Sequence, residues 1–452
     1  MGTQEDCDVA VVGASLAGCA TAIFLARAGA RVALVEKRPD PAAFKRICGH
    51  FIQSSAMATL QRLGLLQAIE EAGGLRSRVR IWTRWGWIEP DTETLPSSIN
   101  LRREVLDPLV RAAAADTPGV DLMLDRTARE LLRDTEDGRV SGVRIEDRQG
   151  NATQLRARLV VGADGRDSHI AELAGVHSRT SPHRRFSYTG YFEGPPPVGS
   201  PNGSIWMADP QWGAAFPTDD GSTMYAAMPT EERLPEFRRD PTAALISFVA
   251  DLPEAPPILA STQVGPTIGK LEMPNVMRTP TAPGLALVGD AAFATDPLFG
   301  VGCGWAFQSA EWLADSVAAA VAGPGGTPGR ESLRRGLSAY RRRHAIGLRG
   351  HAFLIHSYAT GRPFNPGERL LFSAAARDAK VAGIFEAFGT RNIGPTRLVT
   401  SGLPRALVVN ARHALRRRPA ATIAPVRASG SVRATSVAVP AGHTHTNRES
   451  VQ

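Results

Sequence analysis

Residues 8–36 read DVAVVGASLAGCATAIFLARAGARVALVE, and their reading decides the fold. Residues 8–12 are a short β-branched run of the kind buried in a parallel sheet. Gly13-Ala14-Ser15-Leu16-Ala17-Gly18 is a turn, and CATAIFLARAG after it is a helix that stops at Gly29, a residue suited to the position just past a helix end. Residues 30–36 form a second strand with Glu36 at its end, which completes a βαβ unit. Gly13 permits the tight turn, and Gly18 lets the helix lie close on the strand. Ser15 stands where the middle glycine of a Gly-x-Gly-x-x-Gly loop would be and can add a hydroxyl donor. The helix start offers free N–H groups and about half a positive charge to a pyrophosphate. Glu36, eighteen residues beyond Gly18, can take both hydroxyls of a ribose. An acid there disfavours a 2′-phosphate, so the loop fits a dinucleotide other than NADPH.

Working outward, residues 55–73 read as a helix closing on Gly73-Gly74, and 101–116 as another. From 120 to 160 short strands with Asp137-Gly138 and Gln149-Gly150 turns predict a small β-meander. Residues 157–165 are a buried strand running into a turn. Between 179 and 269 the chain turns rich in Pro, Gly, Thr and aromatics, with alternating stretches such as SIWMA, which predicts an inserted antiparallel sheet. Residues 284–292 return to the buried-strand pattern, 304–322 predict a helix, and 331–415 are mostly helical. No internal repeat is found.

The chain has 452 residues and a formal net charge of +8. Residues 401–452 hold eight arginines and one acid, Glu449, so the remainder is close to neutral. The basicity therefore carries no argument for a nucleic-acid partner. Residues 416–452 have small residues, Pro and no aromatic, and are expected to be a disordered basic tail. Four cysteines without a CxxC predict neither a zinc site nor a dithiol redox centre. The N-terminus lacks a basic signal-type region, and the apolar stretch 8–28 is interrupted at Gly13, Ser15 and Gly18. A cytoplasmic protein with no transmembrane segment is the expectation. The histidines are dispersed and no metal-ligand spacing appears; His344, His351 and His356 can share a helix face, read as a solvated or partner-facing one.

Two further turns carry the chemistry. One is Val160-Val161-Gly162-Ala163-Asp164-Gly165. The other is Leu287-Val288-Gly289-Asp290-Ala291-Ala292, followed by Asp296-Pro297-Leu298-Phe299-Gly300-Val301-Gly302-Cys303-Gly304. Three strand-to-turn motifs fit one ligand held at the carboxyl ends of sheet strands. In this order and spacing, across roughly residues 6–345, they resemble the para-hydroxybenzoate-hydroxylase-type flavoprotein superfamily, whose members include class A monooxygenases, epoxidases, flavin halogenases and geranylgeranyl-reductase-like enzymes.

The resemblance implies an α/β fold: a Rossmann-type FAD-binding domain (1–82, 100–178 and 270–345) with an inserted antiparallel β-sheet substrate domain (83–99 and 179–269) and C-terminal helices (346–415). It implies that Gly13, Ser15, Leu16, Ala17 and Gly18 cradle the FAD pyrophosphate and that Glu36, beside Lys37, holds the adenosine ribose. Asp164 and Gly165 form the second turn. Gly289 and Asp290 reach the ribityl chain, and Pro297, Gly300, Gly302, Cys303 and Gly304 present a helix end to the flavin pyrimidine edge. Arg103, in an RxxLxxL segment, has two readings, an arginine along the cofactor phosphates or a solvated helix arginine. The implied activity is oxygen transfer through a flavin C4a-hydroperoxide to a hydrophobic or aromatic small molecule, with dioxygen and a transient NAD(P)H as co-reactants, or with a flavin reductase as partner. A geranylgeranyl-reductase-like dehydrogenase or reductase is the alternative.

Departures from the family pattern stand out. Phe293 replaces the His that many hydroxylases carry after Gly-Asp-Ala-Ala, and Asp296-Pro297 replaces Pro-Pro. Halogenases need a lysine in the stretch corresponding to residues 76–81, and none lies between Lys45 and Lys270. Lys45-Arg46-Ile47-Cys48-Gly49-His50 is similar to the K-x-C-G of the reductase-like members, offset by one residue. Cys48 or His50 lines the active site there, or Arg46 touches the flavin; the other reading of Cys48 is a buried small hydrophobe. No catalytic residue is assigned. The candidates are Cys48, His50, Trp212 and Phe216. Trp82, Trp85, Trp87, Trp206, Trp212 and Phe216 either face an aromatic-lined substrate pocket or fill the sheet core.

Overall fold

Val9–Val12 is buried at every position and lies inside a six-stranded sheet. In spatial order the strands are Thr281–Ala282, Leu285–Leu287, Leu159–Gly162, Val9–Val12, Val32–Val35 and Val120–Met123. All neighbours run parallel except the first pair. Side chains alternate between the two faces of a strand, and the core divides accordingly. Val9, Val11, Leu34, Leu159 and Val161 pack under helices α1 (Leu16–Arg27), α2 (Arg103–Ala115) and α3 (Gly302–Val321). Ala10, Val12, Val35 and Val160 face a second, four-stranded sheet through Val143, Ile145 and Leu155.

A computed structural model describes residues 3–322 and 329–416 of the chain. The residues up to Ala411 form one compact unit, and a second unit starts at Arg412. The expected disordered tail lies outside the described residues from 417 onward.

The inserted sheet has seven strands, ordered Thr262–Lys270, Ser187–Glu193, Thr223–Met228, Gln211–Pro217, Gly203–Ala208, Val79–Thr83 and Gly86–Ile88. It is antiparallel except where Gly203–Ala208 meets Val79–Thr83. Tyr188, Phe192, Trp206 and Tyr225 bury one face against Phe237, Phe248 and their helices. Trp212, Ala214, Phe216, Met224 and Met228 form the other face, beside Phe364, Phe372 and Phe385 of the C-terminal helices. After α3 the chain continues as α4 (Arg330–Ala359), Pro366–Ala375, Ala379–Gly389 and α5 (Leu403–Arg416).

Four expectations need correction. The boundary at 82/83 cuts through Val79–Thr83, which belongs to the inserted sheet. The one at 178/179 splits Ser178–Ser181, which pairs with Asn275–Arg278 outside that sheet. The single helix over 55–73 is two short ones, Met57–Arg62 and Leu66–Glu71, because Gly64 takes a left-handed conformation (φ 68°) between them. Val120–Met123 extends the parallel sheet rather than the meander.

The α4 histidines are not solvated. His344 and His351 are buried, and His351 stacks on Phe388 with its Nε2 2.9 Å from the Phe388 carbonyl. Burial pushes both imidazoles down from 6.5 to about 4. A histidine whose folded pKa is depressed binds a proton more readily when unfolded, so stability is lost as pH falls from 6.5 towards 4. For His344 the loss is on the order of 3 kcal/mol. Urea midpoints measured at pH 7 and pH 5 should therefore diverge, and His344→Leu should shrink the gap; an equal gap in the variant would refute the assignment. Among the described residues no helix is long and apolar enough to cross a membrane.

Candidate active site

The residues that follow Val9–Val12, Leu159–Gly162 and Leu285–Leu287 line one cavity of about 1270 Å³. Gly13 has φ 107°, and a Cβ there would stand 2.5 Å from the Ala163 carbonyl oxygen. A Cβ on Gly18 would stand 1.7 Å from the Gly13 carbonyl oxygen. Gly13 lines the cavity, whereas Gly18 works one layer behind by letting α1 sit against the turn. Ser15 is the N-cap of α1 but makes no capping bond. The first-turn N–H groups are thus left without a side-chain partner where Ser15, Leu16 and Ala17 line the cavity.

Buried polar side chains shape this end. Glu36 Oε2 accepts the Ala14 N–H at 2.9 Å, and Oε1 accepts the Arg38 N–H at 3.0 Å. Arg103 is 4% exposed, which removes the solvated reading. It donates from Nη2 to Ser15 Oγ at 2.9 Å and from Nε to Asp107 Oδ1 at 2.7 Å. Arg111, which the sequence reading missed, donates from Nε to the Ala14 carbonyl at 3.0 Å and from Nη2 to that of Ala43 at 2.8 Å. Arg103, Asp107 and Arg111 sit four residues apart on α2, a polar stripe that marks one buried face. That spacing was the available signal.

Lys45 Nζ and Asp290 Oδ2 are 2.9 Å apart across the cavity. Burial works against the Asp290 charge, yet Lys45 holds its carboxyl below the usual range. Asp164 accepts from Ser168 Oγ at 2.5 Å and from the Ile170 N–H at 3.0 Å, so it ties its own turn to the helix His169–Leu173. Asp296 is buried, lies 2.7 Å from His183 Nε2 and accepts the Leu298 N–H at 3.0 Å. It holds Pro297 and Phe299 in place ahead of Gly300 (φ 59°), where the chain turns into α3. Lys37, Arg46, Gly165, Pro297, Gly300, Gly302 and Cys303 line the cavity; Gly289 and Gly304 do not.

The 45–50 loop brings its candidates to the wall. His50 sits in the left-handed region (φ 60°) and is 3% exposed. Its Nδ1 accepts the Arg103 N–H at 3.1 Å, which leaves the ring proton on Nε2, in short contact with Tyr191 Oη. Burial pushes the imidazole down, towards the neutral form. Cys48 Sγ lies 3.7 Å from Cys303 Sγ, so two thiols meet where no CxxC foretold a pair.

The wall towards the inserted sheet is mostly apolar, with Ser187 and Thr189 as its hydroxyl side chains. Phe51, Val79, Ile205, Ala214, Phe216, Met224 and Met228 line it, and Lys270 reaches it from the last strand. The tryptophans do not. Trp82, Trp87 and Trp206 pack on the far face of the sheet, and Trp212 is 1% exposed between Phe299 and Tyr358. Of the candidates, Cys48, His50 and Phe216 line the cavity and Trp212 does not. Within residues 76–81, Val79 alone lines it, while Arg78 pairs with Glu386 and Arg80 with Glu89.

A family model described as an FAD binding domain matches residues 6–333. The chain belongs to this FAD-binding family. It is an FAD-dependent oxidoreductase of the class A flavoprotein monooxygenase superfamily. It is 30% identical over 336 residues to kynurenine 3-monooxygenase of Salinispora arenicola, covering 69% of this chain and 72% of that one. It is also 30% identical over 332 residues to menaquinone reductase of Mycolicibacterium smegmatis, covering 68% and 75%. The fold is shared with a flavoprotein/dehydrogenase from Cytophaga hutchinsonii, with a TM-score of 0.74, 17% identity and coverage of 91% and 100%.

The residues present fit FAD. Gly13 lets the turn close against the Ala163 backbone, and the α1 N–H groups and Arg103 are placed for a pyrophosphate. The first turn of α3 contains no acid and no side-chain cap, so its positive end faces the cavity beside Gly300 and Gly302.

Proposed function

We propose that this protein is an FAD-dependent monooxygenase that hydroxylates or epoxidises a hydrophobic or aromatic small molecule. The observation that carries this reading is the continuity of one cavity: a cofactor cradle of Gly13, Glu36, Arg103 and Asp290 opens directly onto the apolar wall of Phe51, Val79, Ile205, Phe216 and Met224. Bound FAD supplies two-electron chemistry towards a nicotinamide donor and dioxygen.

The chain's own residues do the rest. Gly13, Ser15, Leu16 and Ala17 bind the pyrophosphate with backbone donors, and Arg103 adds a fixed cation. Glu36, beside Lys37, orients the adenosine ribose, and Lys45 steers Asp290 for the ribityl hydroxyls. The start of α3, with Gly300, Gly302 and Cys303, stabilises negative charge on the ring edge. The apolar wall excludes water from the reacting atoms. His50 stays neutral beside Tyr191 and holds its proton on Nε2. No second glycine-rich strand–helix turn is found in the sequence, so NAD(P)H acts transiently or a flavin reductase supplies the electrons. Halogenation is disfavoured because Val79 stands where the 76–81 stretch meets the cavity. A reducing, cytoplasmic setting suits the four free thiols.

A reductase acting on an alkene or quinone is the second reading. It is favoured by the 45–50 loop and by the likeness to menaquinone reductase. The two separate on product mass. FAD-loaded protein is given NADH or NADPH, heavy-isotope dioxygen and a panel of phenols, polycyclic quinones and isoprenoids. One heavy oxygen atom in a product is the expected result. A product with two added hydrogens and no added oxygen would instead establish the reductase.

A further inference from the structure

Cys48 and Cys303 lie 255 residues apart in sequence and 3.7 Å apart in space. Both line the cavity, side by side beneath Arg103, whose Nη1 is 3.6 Å from one sulfur and 3.9 Å from the other. Gly49 follows Cys48, Gly302 and Gly304 flank Cys303, and a Cβ built on Gly49 or Gly302 would meet nothing within 4 Å. A disulfide requires the sulfurs to close by roughly 1.7 Å, a movement that side-chain rotation on glycine-flanked backbone can supply.

The two thiols are chemically unequal. The hydrogen bond from Cys303 holds the Cys48 thiol well below its ordinary range against burial, and Arg103 adds to this. Donating that bond, and burial, push Cys303 well up. Burial also pushes Cys7 and Cys19 up, to about 11 and about 12. One thiolate with a resolving thiol at its side, under a fixed guanidinium, is the arrangement that reacts with peroxides.

We propose that Cys48 and Cys303 are a peroxide-responsive disulfide site at the edge of the cofactor cradle. The Cys48 thiolate attacks one oxygen of hydrogen peroxide; an S–O bond forms, the O–O bond breaks, and the hydroxide released takes a proton to leave as water. The Cys303 sulfur then attacks the sulfenic sulfur, an S–S bond forms, and its thiol proton leaves with the hydroxyl as a second water. Two thiols are oxidised and one peroxide is reduced. The new bond tethers the 45–50 loop to the first turn of α3, two segments that line the same cavity.

The test treats FAD-loaded protein with hydrogen peroxide, blocks remaining thiols with iodoacetamide, and maps peptides by mass. The expected product is one cross-linked peptide pair holding Cys48 and Cys303, two hydrogens lighter than the reduced pair, reversed by dithiothreitol, within a single chain. In Cys303→Ser, Cys48 should stop as a sulfenic acid that dimedone traps. In Cys48→Ser, Cys303 should remain alkylatable. Mapping the unaltered chain needs neither variant to fold. Overoxidation of Cys48 with Cys303 still free, a bond to Cys7 or Cys19, or no change in either thiol would each overturn the proposal.

Discussion

Gly18→Ala should purify without FAD. A Cβ at this position would stand 1.7 Å from the Gly13 carbonyl oxygen and 3.2 Å from the Ala163 side chain. The first contact is with backbone, which cannot swing aside as a flexible side chain does. Relief requires α1 to lift from the turn, and that carries the helix N–H groups away from the pyrophosphate position. Overpacking of this kind costs about 3 kcal/mol, or more than roughly a hundredfold in affinity if it falls on the bound state. The measurement is the ratio of flavin to protein absorbance after gel filtration, followed by FAD titration of the apoprotein. Gly138→Ala is the control. That glycine, unlike Gly18, has positive φ (69°), but nothing lies within 4 Å of its Cβ position and it is remote from the cavity, so FAD should be retained. A FAD-replete Gly18→Ala protein would show that the close approach is not needed.

The second large effect is expected at Arg103. Arg103→Met leaves Asp107, whose side chain is 1% exposed, without its cation; the Lys45 N–H, at 2.9 Å, remains as a partner. Breaking a buried pair from one side costs about 3–5 kcal/mol. The double variant Arg103→Met with Asp107→Leu removes both charges and should recover most of the urea midpoint. It should not recover FAD affinity, because the donor to Ser15 and the cation facing the phosphates are still missing. Recovery of both together would reduce Arg103 to a purely structural role.

The nucleotide end of the site was legible because its chemistry is local. Gly13, Ser15, Gly18 and Glu36 fall within one βαβ unit, and backbone geometry there depends on neighbours in sequence. Asp164, Asp290 and Gly300 were legible for the same reason, as turns that follow buried strands. What failed was side-chain direction on the inserted sheet. Trp206 and Phe216 both lie on β-branched or aromatic strands, yet a strand alternates its faces, and only pairing register decides which face meets the cofactor. Trp206 goes to the helices and Phe216 to the cavity. Arg111 and Asp107 were missed because a charged residue on an amphipathic helix reads as solvent-facing until something covers it. Cys48 and Cys303 were invisible as a pair, since no local spacing reports a contact 255 residues long. The domain boundary at 82/83 failed similarly. Val79–Thr83 is short and has no turn signal before it, and its partner Gly203–Ala208 comes much later.

That late partner bears on how the chain is made. As synthesis proceeds from the N-terminus, Val79–Thr83 emerges with an open edge that must wait for Gly203–Ala208. Val9–Val12 likewise waits for Leu159–Gly162, which in turn waits for Leu285–Leu287. Such long-range pairings are slow and leave strand edges exposed to wrong partners. The binding cleft is closed only when the start of α3 has left the ribosome. Cofactor capture therefore waits at least until residue 302 of 452 has been made, and a shortage of FAD in the cell is expected to show first as aggregation of new protein rather than as slow turnover of old.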